Sequence, residues 1–416
     1  MFERPADLLL GWWLVWVGQA LWCWYNVNLF LRRGRRKIER PARPRSPEHP
    51  AAVIVPLKGA DAGLIEHIDR LRHQRYPSYR LIFAVESPDD PAHALVRRVI
   101  DADGGAAGLT GIDLVVAGLA EDQGQKVHNQ QAALATVGQG QSIVVFADAD
   151  AAPDADWLMH LVRPLYKGEV GVTTGYRWLV PSDDRLASRV ASVINAGVAT
   201  LMGPDRRNFA WGGSMAAKRT TLEQIDLAGH WDGALSDDYQ MTRAAARAKL
   251  RVYFVVQCLV PSPVSLSWGQ LLRWGRRQYL ITRVHAPVIW AVGLAATLLY
   301  VGGWATAIGA VLAGAWGHVA GWGWAIAAAA VVTLADTQRG RLRGRIAAMV
   351  LDEKTHARLA SARRLDRWAT PLVMAAHLLI IVASVWGRMI EWAWVVYRLR
   401  GRRRVRVVRR AQTAAR

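Results

Sequence analysis

Leu8 to Leu31 runs for 24 residues without a charged side chain. In a bilayer such a stretch has one workable conformation. No water is present to satisfy exposed backbone N–H and C=O groups, and a helix satisfies them internally. The run exceeds the ~20 apolar residues that a spanning helix needs, and Trp12, Trp13, Trp16, Trp22, Trp24 and Tyr25 within it suit a membrane–water boundary. It is too long and too aromatic for a signal peptide, and no small-residue cleavage site follows. Arg32-Arg33-Gly34-Arg35-Arg36-Lys37 comes directly after. The positive-inside rule therefore puts the N-terminus outside and the following part in the cytoplasm. Residues 1–37 read as a transmembrane anchor and the Pro- and Arg-rich residues 38–50 as a linker.

From Ala51 the pattern changes to alternating strands and helices. Ala51–Leu57 reads as a buried strand, and Lys58-Gly59-Ala60-Asp61 as the loop after it. Leu64 to Arg75 has helical spacing, with Leu64, Ile68 and Leu71 on one face. Arg80–Glu86 reads as a second strand, Ala92–Ile100 as a helix and Leu114–Ala117 as a third strand. Gly124–Asn129 leads into an Ala-rich helix. Ile143–Ala147 is then a short, fully apolar strand ending in Asp148-Ala149-Asp150. Strands separated by helices of about 10–15 residues indicate βαβ units and a parallel sheet, an architecture of the nucleotide-binding kind.

In open α/β sheets ligands bind beyond the carboxyl ends of the strands. Two carboxylates at i and i+2 there offer hard oxygen ligands to Mg2+ or Mn2+, ions that bridge to substrate phosphates. The plainer reading is that Asp148 and Asp150 simply open the next loop. Later segments carry further candidates. Val170–Tyr176 reads as a strand, and Leu186–Met202 as an amphipathic helix lying on the membrane or covering the sheet. Ala210-Trp211-Gly212-Gly213-Ser214 is a turn where backbone could approach a ligand closely. Ser236-Asp237-Asp238-Tyr239 precedes a helix, where Ser236 or Asp237 could serve only as N-cap, and Leu250–Val256 reads as a strand. Trp268–Arg283 is basic, aromatic and amphipathic, as an interfacial helix on anionic headgroups would be.

Pro287–Leu334 is nearly uncharged for 48 residues, room for two spans joined near Gly317-His318. Asp336–Arg367 reads as a basic loop, Ala369–Trp386 as a fourth apolar segment, and Arg398–Arg410 as a basic tail. Four full spans from an outside N-terminus would leave that tail outside, against the positive-inside expectation. The net charge of +20, from 53 Lys and Arg against 33 Asp and Glu, gathers at these membrane boundaries, which argues against a nucleic-acid partner. Two cysteines, Cys23 and Cys258, exclude a disulfide framework and fit a cytoplasmic catalytic part. The sequence thus divides into an anchor 1–37, a linker 38–50, a cytoplasmic domain 51–285, a transmembrane region 286–398 and a tail 399–416.

Asp61, the Asp148/Asp150 pair, Asp237-Asp238 and Gln270-Leu271-Leu272-Arg273-Trp274 follow one another in a telling order. The sequence resembles the family-2 and family-21 (ceramide glucosyltransferase-like) glycosyltransferases, whose pattern is D, DxD, (E/D)D and QxxRW. The segments VPLKGAD, ESPDDP and QLLRW carry the likeness, over roughly residues 50–285. It implies an α/β GT-A fold, a Rossmann-like mixed sheet, with transmembrane helices. It also implies transfer of a sugar, glucose first, from a UDP-sugar to the hydroxyl of a membrane lipid such as ceramide, with inversion.

The resemblance implies roles as well. Asp148 and Asp150 would hold Mg2+ or Mn2+ on the donor diphosphate, with Asp148 also touching the ribose. Asp61 and Glu86 would hold uridine, and Lys126 the base or diphosphate. Gln270, Arg273 and Trp274 would belong to the catalytic set, with Arg273 a forked donor to the diphosphate and Trp274 a stacking face. Asp238 would be the general base, with Asp237 standing where the family usually has Glu. The partners so implied are a UDP-sugar, a lipid acceptor and the bilayer, in a bacterial inner membrane with the catalytic domain cytoplasmic. The alternatives are a processive polysaccharide synthase, which shares these motifs, and a non-catalytic membrane-anchored nucleotide-binding protein, which has no need of Asp238.

Overall fold

The computed structural model describes residues 5–39, 49–60, 63–102, 104–150, 152–203, 208–315 and 322–410. Two compact units share the chain. One is made of Met1–Lys37, Leu179–Leu201 and Val264–Trp386, the other of Ile38–Trp178, Met202–Pro263 and Gly387–Arg416.

Helix α1 (Pro5–Glu39) comes first, followed by β1 (Ala51–Pro56), α2 (Leu64–Arg72), β2 (Tyr79–Val85), α3 (Pro91–Asp101), β3 (Leu109–Val116), α4 (Gln125–Ala135) and β4 (Ile143–Ala147). The middle of the chain forms α5 (Trp157–Val162), β5 (Val170–Pro181), α6 (Leu186–Ala199), β6 (Ser214–Lys218), α7 (Arg219–Gln224), α8 (Leu227–Trp231), α9 (Asp237–Arg247) and β7 (Arg251–Val264). Last come α10 (Trp268–His285), α11 (Pro287–Ala315), α12 (Trp322–Val350), α13 (Glu353–Arg358), α14 (Ala360–Trp368), α15 (Thr370–Ala383), β8 (Met389–Trp392), β9 (Val395–Gly401) and β10 (Arg404–Arg410).

The second unit is built on a seven-stranded sheet in the order β3-β2-β1-β4-β6-β5-β7. The first four strands in that order are parallel, while β6 runs antiparallel to both β4 and β5. The sheet is therefore mixed, as the resemblance implied. Successive residues of a strand point to opposite faces, and here both faces are covered. Val53, Val55, Val145 and Phe83 pack with Ile68, Leu71 and Trp157 on one side. Ala52, Ile54, Val144 and Phe146 pack with Val127, Trp231 and Met241 on the other. Double-sided burial is why these strands read as unbroken apolar runs with no alternation. The register Ala51↔Ile143 and Val53↔Val145 sets β1 and β4 side by side.

In the first unit, Trp13 and Trp16 of α1 are buried with Tyr300 and Ala307 of α11 and Ala325 and Val332 of α12. Gly303 permits this close approach, since a Cβ there would sit 2.4 Å from the Trp16 ring. Trp13 Nε1 donates to Thr306 Oγ1 at 3.2 Å. Among the described residues two helices, Asp7–Glu39 and Pro287–Ala315, are long and apolar enough to cross a membrane. The paired helices α14 and α15 would make a third only as one span broken by a 93° bend.

Several expectations change. Asp336–Arg367 is largely helical and not a loop: α12 carries on to Val350 and α13 and α14 follow. The alanines and arginines of this stretch are good helix formers, and Arg339 pairs with Asp336 at 2.9 Å. In α6, Val190, Ile194 and their neighbours pack on Leu271, Val373 and Ile380 in the helical unit. Leu179–Leu201 and Val264–His285, drawn into the domain 51–285, likewise belong to that unit. The apolar segment Ala369–Trp386 becomes the 14-residue helix α15, too short alone for a membrane core at 1.5 Å per residue.

The largest correction is at the C-terminus. Of residues 286–398, assigned to a transmembrane region, the helical unit takes only those up to Trp386, and the tail assigned to 399–416 is no tail as far as Arg410. Met389–Arg410 folds into an antiparallel sheet in the order β10-β9-β8, within the unit of the seven-stranded sheet. Val395, Tyr397, Leu399 and Val405 are buried while Arg398, Arg400, Arg404 and Arg406 are exposed. That is the two-residue period of a half-buried strand. The linker 38–50 and the junction at Gly317-His318 fall mostly or wholly outside the described residues.

Candidate active site

The C-terminal end of β4 delivers Asp148 and Asp150 to the mouth of the sheet, with Asp150 exposed and Asp148 half-buried. Ser236 caps α9, its hydroxyl accepting from Tyr239 N at 3.1 Å, so the N-cap reading was right for Ser236. Asp237 and Asp238 fill the first turn, where the helix dipole favours negative charge. Lys126, in the first turn of α4, joins the two acidic groups. Its Nζ lies 2.5 Å from Asp148 Oδ1 and 3.1 Å from Asp237 Oδ2.

The adjacent carboxylates of α9 differ sharply. Asp237 is buried, its Oδ2 also accepts from Gln130 Nε2 at 3.1 Å, and its backbone carbonyl accepts from Trp231 Nε1 at 3.1 Å. Asp238 is half-buried and accepts from Tyr239 N at 2.7 Å and from the Ser236 hydroxyl. Burial, and then the neighbouring Asp237 charge, push the Asp238 carboxyl up to about 6. At Asp148 burial acts in the same direction, but the Lys126 and Arg177 charges prevail and hold it below its ordinary value. Lys126 is held above its ordinary value: burial opposes this, and Asp148 and Asp237 outweigh burial.

Gly212 and Gly213, the turn flagged for close backbone approach, lie against these groups. A Cβ on Gly212 would sit 2.0 Å from Asp237 Oδ2 and 2.8 Å from Lys126 Nζ; one on Gly213 would sit 2.7 Å from Asp148 Oδ2. A side chain at either position would force these groups to move. Arg177, in β5, faces Asp150 Oδ2 at 3.4 Å and lies 5.5 Å from the Trp211 ring centroid. Asp148, Asp150, Asp237 and Asp238 stand against Lys126 and Arg177, four carboxylates to two cations. The excess of two negative charges is what one divalent cation cancels. Among the described residues no three His, Cys, Asp or Glu side chains gather to hold an ion unaided. Mg2+ and Mn2+ fit such a place through one or two carboxylates completed by substrate phosphates and water.

The remaining expected residues are placed as follows. Glu86 follows β2 and is bound by Lys58 and, at 3.1 Å, by Arg410. Asp61 lies outside the described residues. Gln270, Arg273 and Trp274 sit on α10, in the helical unit. Gln270 closes a capping box with Ser267, Arg273 is exposed, and Trp274 is half-buried against the Leu179–Leu271 cluster.

Sequence reasoning missed Arg177, Gln130 and the whole C-terminal sheet. An arginine inside the apolar run Val170–Pro181 was a usable signal for Arg177. The C-terminal sheet touches α4, the loop before it, and α9. Arg410 donates to Gln125 Oε1 at 2.8 Å and to the Ala120 carbonyl; Gln125 N donates to the Tyr397 hydroxyl at 3.2 Å; Gln240 of α9 donates to the Arg402 carbonyl at 2.8 Å. Val407 N bonds the Glu121 carbonyl at 2.8 Å. Gln125 immediately precedes Lys126, and Gln240 lies one helical step beyond Asp237 and Asp238.

The pattern of glycosyl transferase family 21 matches residues 14–405, nearly all of the 416. The chain belongs to this family. It is thus a glycosyltransferase, and its mixed sheet with helices on both faces is the GT-A arrangement. The match spans both units, including the C-terminal sheet as far as Val405. No curated protein matches the sequence. Among solved structures, the family 21 chain is similar to the mannosyltransferase PcManGT from Pyrobaculum calidifontis, solved in complex with GDP-Man and Mn2+. That likeness has 19% identity and a TM-score of 0.46 over 90% of this chain and 99% of that one. It is also similar to glucosyl-3-phosphoglycerate synthase from Mycobacterium tuberculosis with Mn2+ and UDP-glucose. There the identity is 16% and the TM-score 0.35, over 62% of this chain and 83% of that one. These distant likenesses add nothing to the family assignment.

Proposed function

We propose that this family 21 protein is a membrane-bound inverting glycosyltransferase that moves a sugar, glucose first, from a UDP-sugar to the hydroxyl of a membrane lipid of the ceramide kind. The observation that carries the reading is the cluster at the end of β4. A half-buried, proton-attracting Asp238 stands near an ion-paired Asp148–Lys126–Asp237 group with net negative charge. Departure of a nucleoside diphosphate leaves an anion to be stabilised. Mg2+ or Mn2+, held by Asp148 and Asp150, would supply positive charge to the leaving diphosphate. Lys126 provides a second, fixed positive charge beside the same position.

The acceptor hydroxyl needs a base as it attacks. Asp237 is bound to Lys126 and Gln130 through Oδ2 and is buried. Asp238 is part-exposed and, with its pKa near 6, ionised yet basic at neutral pH. We assign the base to Asp238 and a positioning role to Asp237. Arg273 would bring its forked guanidinium to the diphosphate and Trp274 a stacking face to sugar or acceptor, with Gln270 fixing the start of their helix. The candidate spans α1 and α11 suit an acceptor already in the bilayer, with the catalytic unit on the cytoplasmic face of a bacterial inner membrane. Purified protein incubated with labelled UDP-sugars and defined lipids, including ceramide, diacylglycerol, sterol and hopanoid, tests this. A labelled glycolipid is expected. Release of labelled polymer, or no transfer from any nucleotide sugar to any lipid, would refute it.

A further inference from the structure

We propose that the C-terminal sheet completes the donor pocket, with Trp394 stacking on the nucleobase and Arg410 positioning Glu86 beside it. The inference rests on the nucleotide-sugar reading above. If the diphosphate lies at Asp148 and Asp150, the nucleoside must extend to one side. On the β6 side, Gly212, Gly213, Trp211 and Arg177 already crowd the carboxylates. On the other side the strand order places β1 and then β2. The end of β2 is two strand spacings, ~10 Å, from the end of β4, the reach of a nucleoside beyond its phosphates.

At those two strand ends stand Lys58 and Gly59 after β1 and Glu86 after β2. Arg410 grips Glu86 Oε2 at 3.1 Å, Gln125 Oε1 at 2.8 Å and the Ala120 carbonyl, which fixes both the guanidinium and the carboxylate. Lys58 binds the other Glu86 oxygen. Charge is thus reversed relative to the β4 end, with two cations on one carboxylate.

Trp394 stands beside the ends of these two strands, against Gly59. Ala393 and Trp394 form the two-residue connection between β8 and β9, with φ of 48° and 60°. Such a turn favours Asn-Gly, and a bulky side chain at positive φ is strained. The residue is 41% exposed, so part of the ring is left open to a partner. One edge of the ring rests on Gly59, where a Cβ would lie 3.1 Å from it and where φ is 74°. A part-exposed aromatic ring held at positive φ beside the ends of β1 and β2 points to a ligand. A flat base offers the matching face.

The test uses full-length protein in detergent, titrated calorimetrically with UDP, and with GDP in parallel, in Mg2+. Trp394→Ala should weaken nucleotide binding about tenfold, the scale of one base–aromatic stack, at an unchanged melting temperature, and Trp394→Phe should restore most of it. Arg410→Met should raise the donor KM more than it lowers kcat. Wild-type affinity in both Trp394→Ala and Arg410→Met would overturn the proposal, as would a loss in Trp394→Ala that Phe does not restore. A wild type that binds neither nucleotide would bring down the donor reading along with this one; binding that the variants leave intact removes this one alone.

Discussion

Replacing Asp238 with Asn keeps the shape of the side chain and its ability to accept from Tyr239 N and the Ser236 hydroxyl, and removes only charge and basicity. The carboxyl sits near 6 against an ordinary 3.8. At ~1.4 kcal/mol per pH unit, keeping it ionised at neutral pH costs at most about 3 kcal/mol. Because part of the side chain faces solvent, screening reduces this to ~1–2 kcal/mol. The sign follows from proton binding. Between about 3.8 and 6 the folded protein holds a proton that the unfolded chain has lost, so this group's contribution to stability falls as pH rises through that window. Asp238→Asn should therefore melt ~2–6 °C higher at pH 7.5 and lose that slope, while transfer falls by ~10²–10⁴. The wild-type rate should climb with pH through about 6. Thermal melts at pH 4.5 and 7.5 beside a labelled-sugar transfer assay measure all of this. A variant with normal turnover would refute the base assignment. An inactive variant that is no more stable than the wild type would refute the electrostatic account of it.

Three further outcomes are expected. Chelation with EDTA should abolish transfer and Mg2+ or Mn2+ should restore it; full activity in EDTA, or in Asp150→Ala, would exclude the metal. Met389–Arg410 shares a compact unit with Ile38–Trp178, so if α11 spans a membrane, we expect the chain between to cross it an even number of times. We expect α11 to go out and the bent α14–α15 pair to return as a broken span. Cysteines at Ser87 and Arg400 should then both be labelled only after permeabilisation, and labelling of one alone in intact cells would break the topology. Ending the chain after Trp386 should leave a protein that inserts but transfers sugar at under about one per cent of the wild-type rate, since Lys126 and Asp237 lose neighbours that hold their helices; near-normal activity would show that the C-terminal sheet is dispensable.

What could be read in advance followed how local its cause was. β1, β2 and β4 are short apolar runs closed by Gly, Pro or Asp, and their doubly buried faces leave no ambiguity of period. β7 was cut short at Val256 because Pro261 and Pro263 argue against a strand, yet it is the last strand of the sheet, where an edge tolerates proline. β3 was begun late because Gly111 and Asp113 interrupt its apolar pattern; Asp113 is in fact paired to Arg80 at 2.6 Å across the β2–β3 ladder. Asp148, Asp237 and Asp238 were visible as acidic groups at element ends. Lys126 was visible only as a candidate, since its meaning lies in two partners 22 and 111 residues away. Arginines outnumber the apolar residues in β10, and charge hid the alternation that Val395, Tyr397, Leu399 and Val405 carry.

The return of β8 to β10 to the catalytic unit also sets a clock on the protein's birth. A ribosome that has just made β7 has delivered every carboxylate of the site, but not the strands that brace it. More than a hundred residues of helix, up to Trp386, must still be made before those strands emerge. At ~5–20 residues per second that interval is several seconds to half a minute, during which the half-made site waits without its last wall. A nascent chain stalled before Trp386 would therefore lack the strands that hold Gln125 and Gln240. Catalytic competence in this sense waits on the making of the whole helical unit that precedes those strands.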